Sequence, residues 1–599
     1  MSSRQKKRER QRKIEIRKLH MALICWTIGL GTLKVSPAMF SKYDTILGPF
    51  MVLVISTIFI TIPQTFFEIG IAQYSRRGCI KVFDAAPAWR GIGILGVVCV
   101  FISSIRSVQI CTYFLIYSLN SLSAVPPWSH CGDQNYLSFG CYTFGNNRTS
   151  HENCIEVFNL EHCENIEWID SAELFWRSVA VTKFVPAQTQ YKIELILCCL
   201  LTLIAAYICV RNSMDSFSIF SGFLVYAPAV MQGIVLVKSF TNPGSMRALK
   251  YIFRFSRNDF FNVEVWMDMI TFSLMSVGNM GGLKTLAKGT YFRHPTNSEA
   301  VLLNLICTTF TLLYGALFFN LVGTFSFEMN ADFNVLTRSI ENFNFISAAS
   351  VLRLWTLSTM HLFFFYFSNF LIVFRNFAIQ FDLMLSSLYE ARNSLRQYNN
   401  TLCVIFCCFH FAMFIIVKLV VSERFMSYGT YQLLYIMSPI IAFYSGIFLC
   451  CFYGSKRFAD DIHFMLGLKP TIIWQISWYF ATVIYLYCFL HFYMKFIETT
   501  HKYFIPLLII ITLFSAFPLL YLMLSTFVKW QKKQSIVEIF KPTKDWGPDD
   551  EILRRSRDMF SAQDMTKEYL YRQQRLKLNI TNPNTDFSSG GTSFSTPTK

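Results

Sequence analysis

Apolar residues run in twelve long blocks, at 21–46, 48–73, 91–122, 190–210, 217–238, 264–288, 299–326, 352–381, 401–421, 430–453, 472–494 and 504–527. A helix needs about 20 such residues to cross roughly 30 Å of hydrocarbon, so each block is long enough to span. The polar segments between them are mostly short. The exceptions are a basic head, a long wet loop after the third block and a polar tail. The pattern predicts an all-α membrane protein of twelve transmembrane helices, with a head (1–20), a twelve-helix core (21–528) that contains the large loop (124–189), and a tail (529–599).

Composition agrees. The chain is 53% hydrophobic and 15% charged, whereas soluble domains are about 45–50% apolar and about 25% charged. The net charge of +17 is concentrated just before the first block, in Arg4, Lys6, Lys7, Arg8, Arg10, Arg12, Lys13, Arg17 and Lys18. Basic residues beside a span favour the cytoplasmic side. The charge therefore predicts a cytoplasmic head that touches anionic lipid, and it argues against nucleic acid as a partner. An even number of spans returns the tail to the same side. A multi-pass plasma membrane protein with both termini cytoplasmic is expected, and the tails are its available surface for cytoplasmic proteins. No cleavable signal is evident.

The large loop is acidic and faces outside by alternation. It contains the glycosylation sequon Asn147-Arg148-Thr149; sequons at Asn399 and Asn579 would lie inside, unused. Its four cysteines, Cys131, Cys141, Cys154 and Cys163, allow three disulfide pairings in an oxidising exterior, of which Cys131–Cys141 is preferred. Neither a phosphate-binding loop, a clustered metal-ligand motif nor a nucleophile triad is present, so no enzyme and no organic cofactor is expected. The Asp460-Asp461 pair reads as structural.

Two blocks are interrupted. The first carries Gly29, Gly31, Lys34 and Pro37 at mid-depth, and the sixth carries Gly278-Asn279-Met280-Gly281-Gly282. Glycine loosens a helix and proline removes a hydrogen bond. Backbone released at that depth needs protein or water around it, and paired broken helices of this kind form the midplane substrate sites of secondary transporters. Close helix packing on glycine is the plainer alternative.

Taken together, the sequence resembles the sodium:neurotransmitter symporter family. The longest match is residues 453–467, Tyr453-Gly454 through Asp460-Asp461-Ile462 to Met465-Leu466-Gly467, which resembles that family's YG-x-x-RF-x-DDI-x-x-MLG loop. Further matches are Gly29-Leu30-Gly31 with Pro37, Ile62-Pro63 with Glu68, Ala72-Gln73-Tyr74, Pro127-Trp128 with Cys131, and Val265-Trp266 with Asp268. The resemblance implies two inverted five-helix repeats plus two helices, with helices one and six broken.

It also implies sites. A first sodium position uses asparagines on spans one and seven. Here they read Thr32 and Cys307, beside Ser276 on span six, and a neutral thiol is a poor ligand for a hard cation. A second position uses backbone carbonyls at Cys25 and Ile28 and an oxygen on span eight. Setting Ser368-Asn369-Phe370 against the family's S-Q-F gives Ser368 that role and brings Asp382 onto the inner-gate aspartate, opposite Arg10. Thr27 joins the ion set. Sodium is the expected ion. Phe272 and Thr311 replace two chloride-site residues, so chloride is not expected. The outer gate is lost on both sides, as Val35 and Met437, which implies an apolar closure. Candidate substrate contacts are Gly29, Gly31, Arg106, Ser107, Ser276 and Ser368, and Glu68 supports the broken helices from behind. Gly29 stands where monoamine carriers have an aspartate.

Four charges fall in the core. Arg106 or Lys34 is expected to take over part of sodium's electrostatic role or to meet an anionic substrate, with Glu68 as a counter-charge. The plainer reading has Lys34 and Lys284 snorkelling into an outer vestibule; Lys288 lies close by. The whole predicts a secondary-active carrier of a small amino acid or related osmolyte, sodium-coupled and working by alternating access. The alternatives are a transport-incompetent receptor or scaffold, and a carrier without sodium coupling.

Overall fold

A helix that is apolar all round must be surrounded by lipid or by other helices. The computed structural model separates the two cases. It describes residues 17–560 apart from 30, 34–39, 44, 132–139, 145–167, 181–188, 213, 331, 334–335, 337–343 and 500–504. Among these residues ten helices are long and apolar enough to cross a membrane. The two expected spans missing from that set are the interrupted ones.

The chain begins with α1 (17–27), followed after a break by one short helical turn at 31–33. Next come α2 (Leu47–Ser75) and α3 (Pro87–Asn120), then α4 (Thr189–Val210) and α5 (Met214–Ser239). The sixth span is split into α6 (Val263–Val277) and α7 (Gly282–Ala287). The second half of the core holds α8 (Thr296–Glu328), α9 (Ser358–Ala391), α10 (Asn399–Val420) and α11 (Glu423–Ile447). It closes with the short α12 (Ser455–Leu466), then α13 (Ile472–Thr499) and α14 (Ile505–Gln531).

Polarity sorts these helices. The central window of α9 is 83% buried and that of α14 only 17%. α9 carries Ser368, Asn369, Arg375, Asn376, Gln380 and Asp382, all buried, whereas α14 presents Leu513, Leu520, Met523 and Leu524 outward. In lipid an apolar surface costs nothing, so the polar helix takes the centre. α3, α9 and α11 form that centre, with α3 packed along α9.

The expected end of span eight is corrected by this. Its apolar block was read as stopping at 381, but α9 continues to Ala391, because its polar residues face protein instead of leaving the membrane.

At the loop-bearing end, Gly140–Tyr142 pairs in parallel with Trp168–Asp170, and Cys131 is disulfide-bonded to Cys141. Trp128 is fully buried against Tyr117, ring centroids 5.0 Å apart. Arg353 donates to the Ser129 carbonyl at 2.7 Å, tying this subdomain to the helix preceding α9. Asn147, Cys154 and Cys163 lie outside the described residues.

At the head-bearing end, His20 bonds Glu299 at 2.7 Å, and His294 lies 3.2 Å from the same carboxylate. The hydrogen bond that His20 donates to Glu299, together with the charge of that carboxylate, raises the His20 pKa above the ordinary imidazole value. The polar tail lies on this face: Thr543 N–H donates to the Asp84 carbonyl, and Arg557 pairs with Asp461 at 2.6 Å. Asp461 also accepts from the Tyr453 hydroxyl, which fits a structural role for the acidic pair.

Candidate functional site

The break in α1 releases four consecutive carbonyls, and each finds a donor. The Trp26 oxygen accepts from Asn376 Nδ2 at 2.7 Å, and the Thr27 oxygen from the Cys307 thiol at 3.9 Å. The Ile28 oxygen accepts from Arg375 Nη2 at 3.4 Å, and the Gly29 oxygen from Leu33 N–H at 3.2 Å. Two of the four donors are side chains of α9. A helix end at membrane depth thus survives because a polar face of another helix covers it.

The second break is held in the same manner. Gly278 and Gly281 adopt positive φ, +74° and +103°, the region that glycine reaches without a Cβ penalty. Between them Asn279 exchanges two hydrogen bonds with Ser438 of α11, 2.8 Å to its carbonyl and 3.0 Å from its hydroxyl. Trp26 joins the two breaks: its indole N–H donates to the Gly278 carbonyl at 3.1 Å. The ring lies so close that a Cβ on Gly282 would stand 2.1 Å from Trp26 Cε2. Gly282→Ala must push the indole out of its seat. We expect a loss of about 1–3 kcal/mol from overpacking, read as a lower unfolding midpoint together with a shifted tryptophan emission; an unchanged midpoint would contradict this packing.

Between the breaks lies a partly open cavity of about 90 Å³. Its wall comes from α1 (Trp26, Thr27 and the following Gly29, Gly31 and Thr32), α3 (Ser103, Arg106), the second break (Met275, Ser276, Gly278), α9 (Asn376, Gln380) and α11 (Thr430, Tyr431). Thr32 Oγ1 and Ser276 Oγ are buried without a hydrogen-bond partner among the described residues. Such oxygens suit a hard cation.

The expected residues divide. Gly29, Gly31, Arg106, Ser276, Thr27 and Thr32 line this cavity. The Gly29 position is filled from behind, since a Cβ there would meet Asn376 Cγ at 2.5 Å. Ser107 does not line it; its hydroxyl turns back to the Ser103 carbonyl at 3.0 Å. Ser368 faces α5, accepting from Gln232 Nε2 at 2.8 Å; Arg375 and Asn376, two turns further along, face the α1 break instead. Arg10 and Lys34 lie outside the described residues. Asp382 is buried in mid-helix, and at the end of α9 Glu390 pairs with Lys288 at 3.0 Å and accepts from Gly78 N–H at 2.7 Å.

Two charge expectations are corrected. Lys284 does not snorkel: it is buried against Glu68, 3.2 Å away, which Gln64 also holds at 3.1 Å. Glu68 therefore supports the second break through α7, as counter-charge to Lys284 and not to Arg106. A buried ionic contact joins α3 to α11 on the loop-bearing side; Val35, one half of the expected apolar closure, lies outside the described residues. Arg106 pairs with Glu423, the first residue of α11, at 2.6 Å, with side chains 4% and 9% exposed. Tyr113 donates to the same carboxylate at 2.9 Å.

Phe272 and Thr311 line a second, small cavity with Ser273, Ser276 and Asn304, beside the ion set.

Comparison with known proteins gives a consistent result. The model of the sodium:neurotransmitter symporter family matches residues 14–534. The chain is 22% identical over 487 residues to the sodium- and chloride-dependent creatine transporter 1 of Bos taurus, covering 77% of this chain and 73% of that one. It is 22% identical over 484 residues to the creatine transporter of Torpedo marmorata (78% and 76%). It is 21% identical over 500 residues to the sodium- and chloride-dependent glycine transporter 2 of Xenopus laevis (77% and 61%). Two of these relatives carry chloride dependence in their names, and the doubt about chloride is not borne out.

Proposed function

We propose that this chain, which belongs to the sodium:neurotransmitter symporter family, carries a small amino acid or a guanidino or amino osmolyte through the cavity between its two broken helices. It is a multi-pass membrane protein and a sodium-coupled solute transporter, not an enzyme. The single observation that supports the cargo reading is the cavity itself: two breaks, tied by Trp26, face a small space lined by hydroxyls, amides and one neutralised arginine.

In this reading Gly31, Ser276, Asn376, Gln380 and Thr430 contact the solute, while Trp26 and Tyr431 supply its apolar walls. Thr32 and Ser276 offer oxygens to sodium, and the neighbouring small cavity is the place for chloride. Alternating access opens one side at a time. On the loop-bearing side the Arg106–Glu423 pair must part. On the head-bearing side the Lys288–Glu390–Gly78 and His20–Glu299 contacts must part. The basic head supports a cytoplasmic position for that side, against anionic lipid of a plasma membrane, with the tail available to cytoplasmic proteins.

The test is uptake by the purified protein in liposomes, with glycine, creatine and a panel of small amino acids. Uptake should require an inward sodium gradient and vanish when choline replaces sodium at fixed pH. Flux for no member of the panel would count against the proposal.

A further inference from the structure

We infer that the Arg375 guanidinium is the resident cation at the end of α1, so that this chain takes no metal ion there and couples to sodium through the Thr32–Ser276 position alone. The inference rests on the transport reading for its meaning, but not for its geometry.

The end of a helix carries partial negative charge on its unsatisfied carbonyls. In α1 that end points into the protein at mid-depth, and the sequence resemblance assigns the Cys25 and Ile28 carbonyls there to a sodium ion. The structure puts something else in place. Arg375 is 2% exposed, and it donates to the Ile28 carbonyl at 3.4 Å and to the Leu224 carbonyl of α5 at 2.8 Å.

Among the described residues no carboxylate pairs with Arg375; its charge is answered by backbone oxygens. A buried guanidinium without an acid is costly unless dipoles replace the acid, and here the α1 terminus and the Leu224 carbonyl of α5 supply them. The arginine and the helix end thus satisfy each other.

A metal ion is electrostatically disfavoured in this arrangement. A second positive charge about 4 Å from the guanidinium would lose roughly a thousand-fold in affinity at the effective dielectric of a protein. The Ile28 oxygen is also already engaged. Among the described residues nothing similar guards the other position: Thr32 Oγ1 and Ser276 Oγ are buried without a hydrogen-bond partner there, and Arg106, the cation on the same cavity, is neutralised by Glu423. An ion released during transport would loosen α1 from α5 and α9. A tethered guanidinium keeps the three connected.

The experiment is thermal unfolding of the purified full-length protein by tryptophan fluorescence, titrating sodium against choline at constant ionic strength. The wild type should gain stability with a Hill coefficient of about 1, whereas Arg375→Ala should melt lower in choline and gain a second, cooperative sodium response. Guanidinium ion at about 10 mM should restore the variant in choline and leave the wild type unchanged. Arg375→Lys, which keeps a tethered cation, should retain the single-site response.

A wild-type coefficient near 2 would overturn the inference. So would an Arg375→Ala protein that neither gains a sodium response nor answers to guanidinium. If that variant does not fold in either salt, the wild-type coefficient decides alone. A wild type indifferent to sodium would sink the sodium-coupled reading, while the guanidinium response of Arg375→Ala would still decide the assignment of Arg375.

Discussion

Glu423→Gln is expected to lower stability by about 3–5 kcal/mol, the cost of leaving a buried ion without its partner, and to abolish uptake. Glu423 holds two groups directly: Arg106 lies 2.6 Å from it and Tyr113 donates to it at 2.9 Å. Lys418 stands 4.5 Å above the Tyr113 ring and donates to the Val179 and Ala180 carbonyls. Neutralising the carboxylate leaves the Arg106 guanidinium buried without its acid. Arg106→Met should cost less, because Glu423 keeps the Tyr113 hydroxyl. The pair Arg106→Met with Glu423→Met removes both charges and should recover most of the loss, since well-packed apolar residues often replace a buried pair without penalty.

Recovery of fold need not recover transport. The pair joins α3 to α11, and in the proposed cycle its separation admits solute. A closure without charges has a different balance of open and closed states, so uptake by the double variant should stay at least about tenfold below wild type, equivalent to about 1.4 kcal/mol on that balance. Unfolding midpoints in detergent and uptake in liposomes separate the two effects. A double variant as unstable as Glu423→Gln would show that the residues do not act as a pair.

The spans and the two breaks were legible because both follow from local pattern: a block of apolar residues, and glycines where a helix should be firm. What crosses between helices was less so. Arg106 was visible as a charge in an apolar run, but its partner was not, since span ten was read as starting at 430 and Glu423 fell into the preceding loop. A local signal was present: the Ser422 hydroxyl accepts from Phe425 N–H, a cap that starts α11 seven residues earlier than the apolar block.

The register of α9 was misjudged for a related reason. Ser368 and Arg375 are seven residues apart, nearly two full turns or about 10.5 Å. They lie on one face, and periodicity cannot choose between them. The short S-Q-F match chose Ser368. The run from Arg375 to Asp382 contained the better clue. Polar residues that continue at helical spacing past the end of an apolar block mark a helix buried in protein, not one leaving the bilayer.

Lys284→Met carries the second large expectation, a loss of about 3–5 kcal/mol. α7 has six residues and follows two glycines at positive φ, so it has little helical stability of its own. The Lys284–Glu68 pair fastens it to α2, with both side chains nearly inaccessible, 3% and 1% exposed. The Lys284 ammonium also stands 5.7 Å over the Phe83 ring. Removing the lysine strands a carboxylate whose remaining partner is Gln64. Glu68→Gln on that background removes the stranded charge and should return at least about 2 kcal/mol, so the double-mutant cycle should show coupling well above the 0.5 kcal/mol expected of independent sites. A lysine that merely reached for water would behave otherwise: Lys284→Met would fall within about 0.5 kcal/mol of wild type, as surface changes do, and the cycle would show no coupling. The same comparison bears on transport. If α7 moves as the second half of a broken helix, the pair is what makes it move with α2, and a restored fold with uncoupled uptake would identify Lys284 as a positioning residue for the cavity.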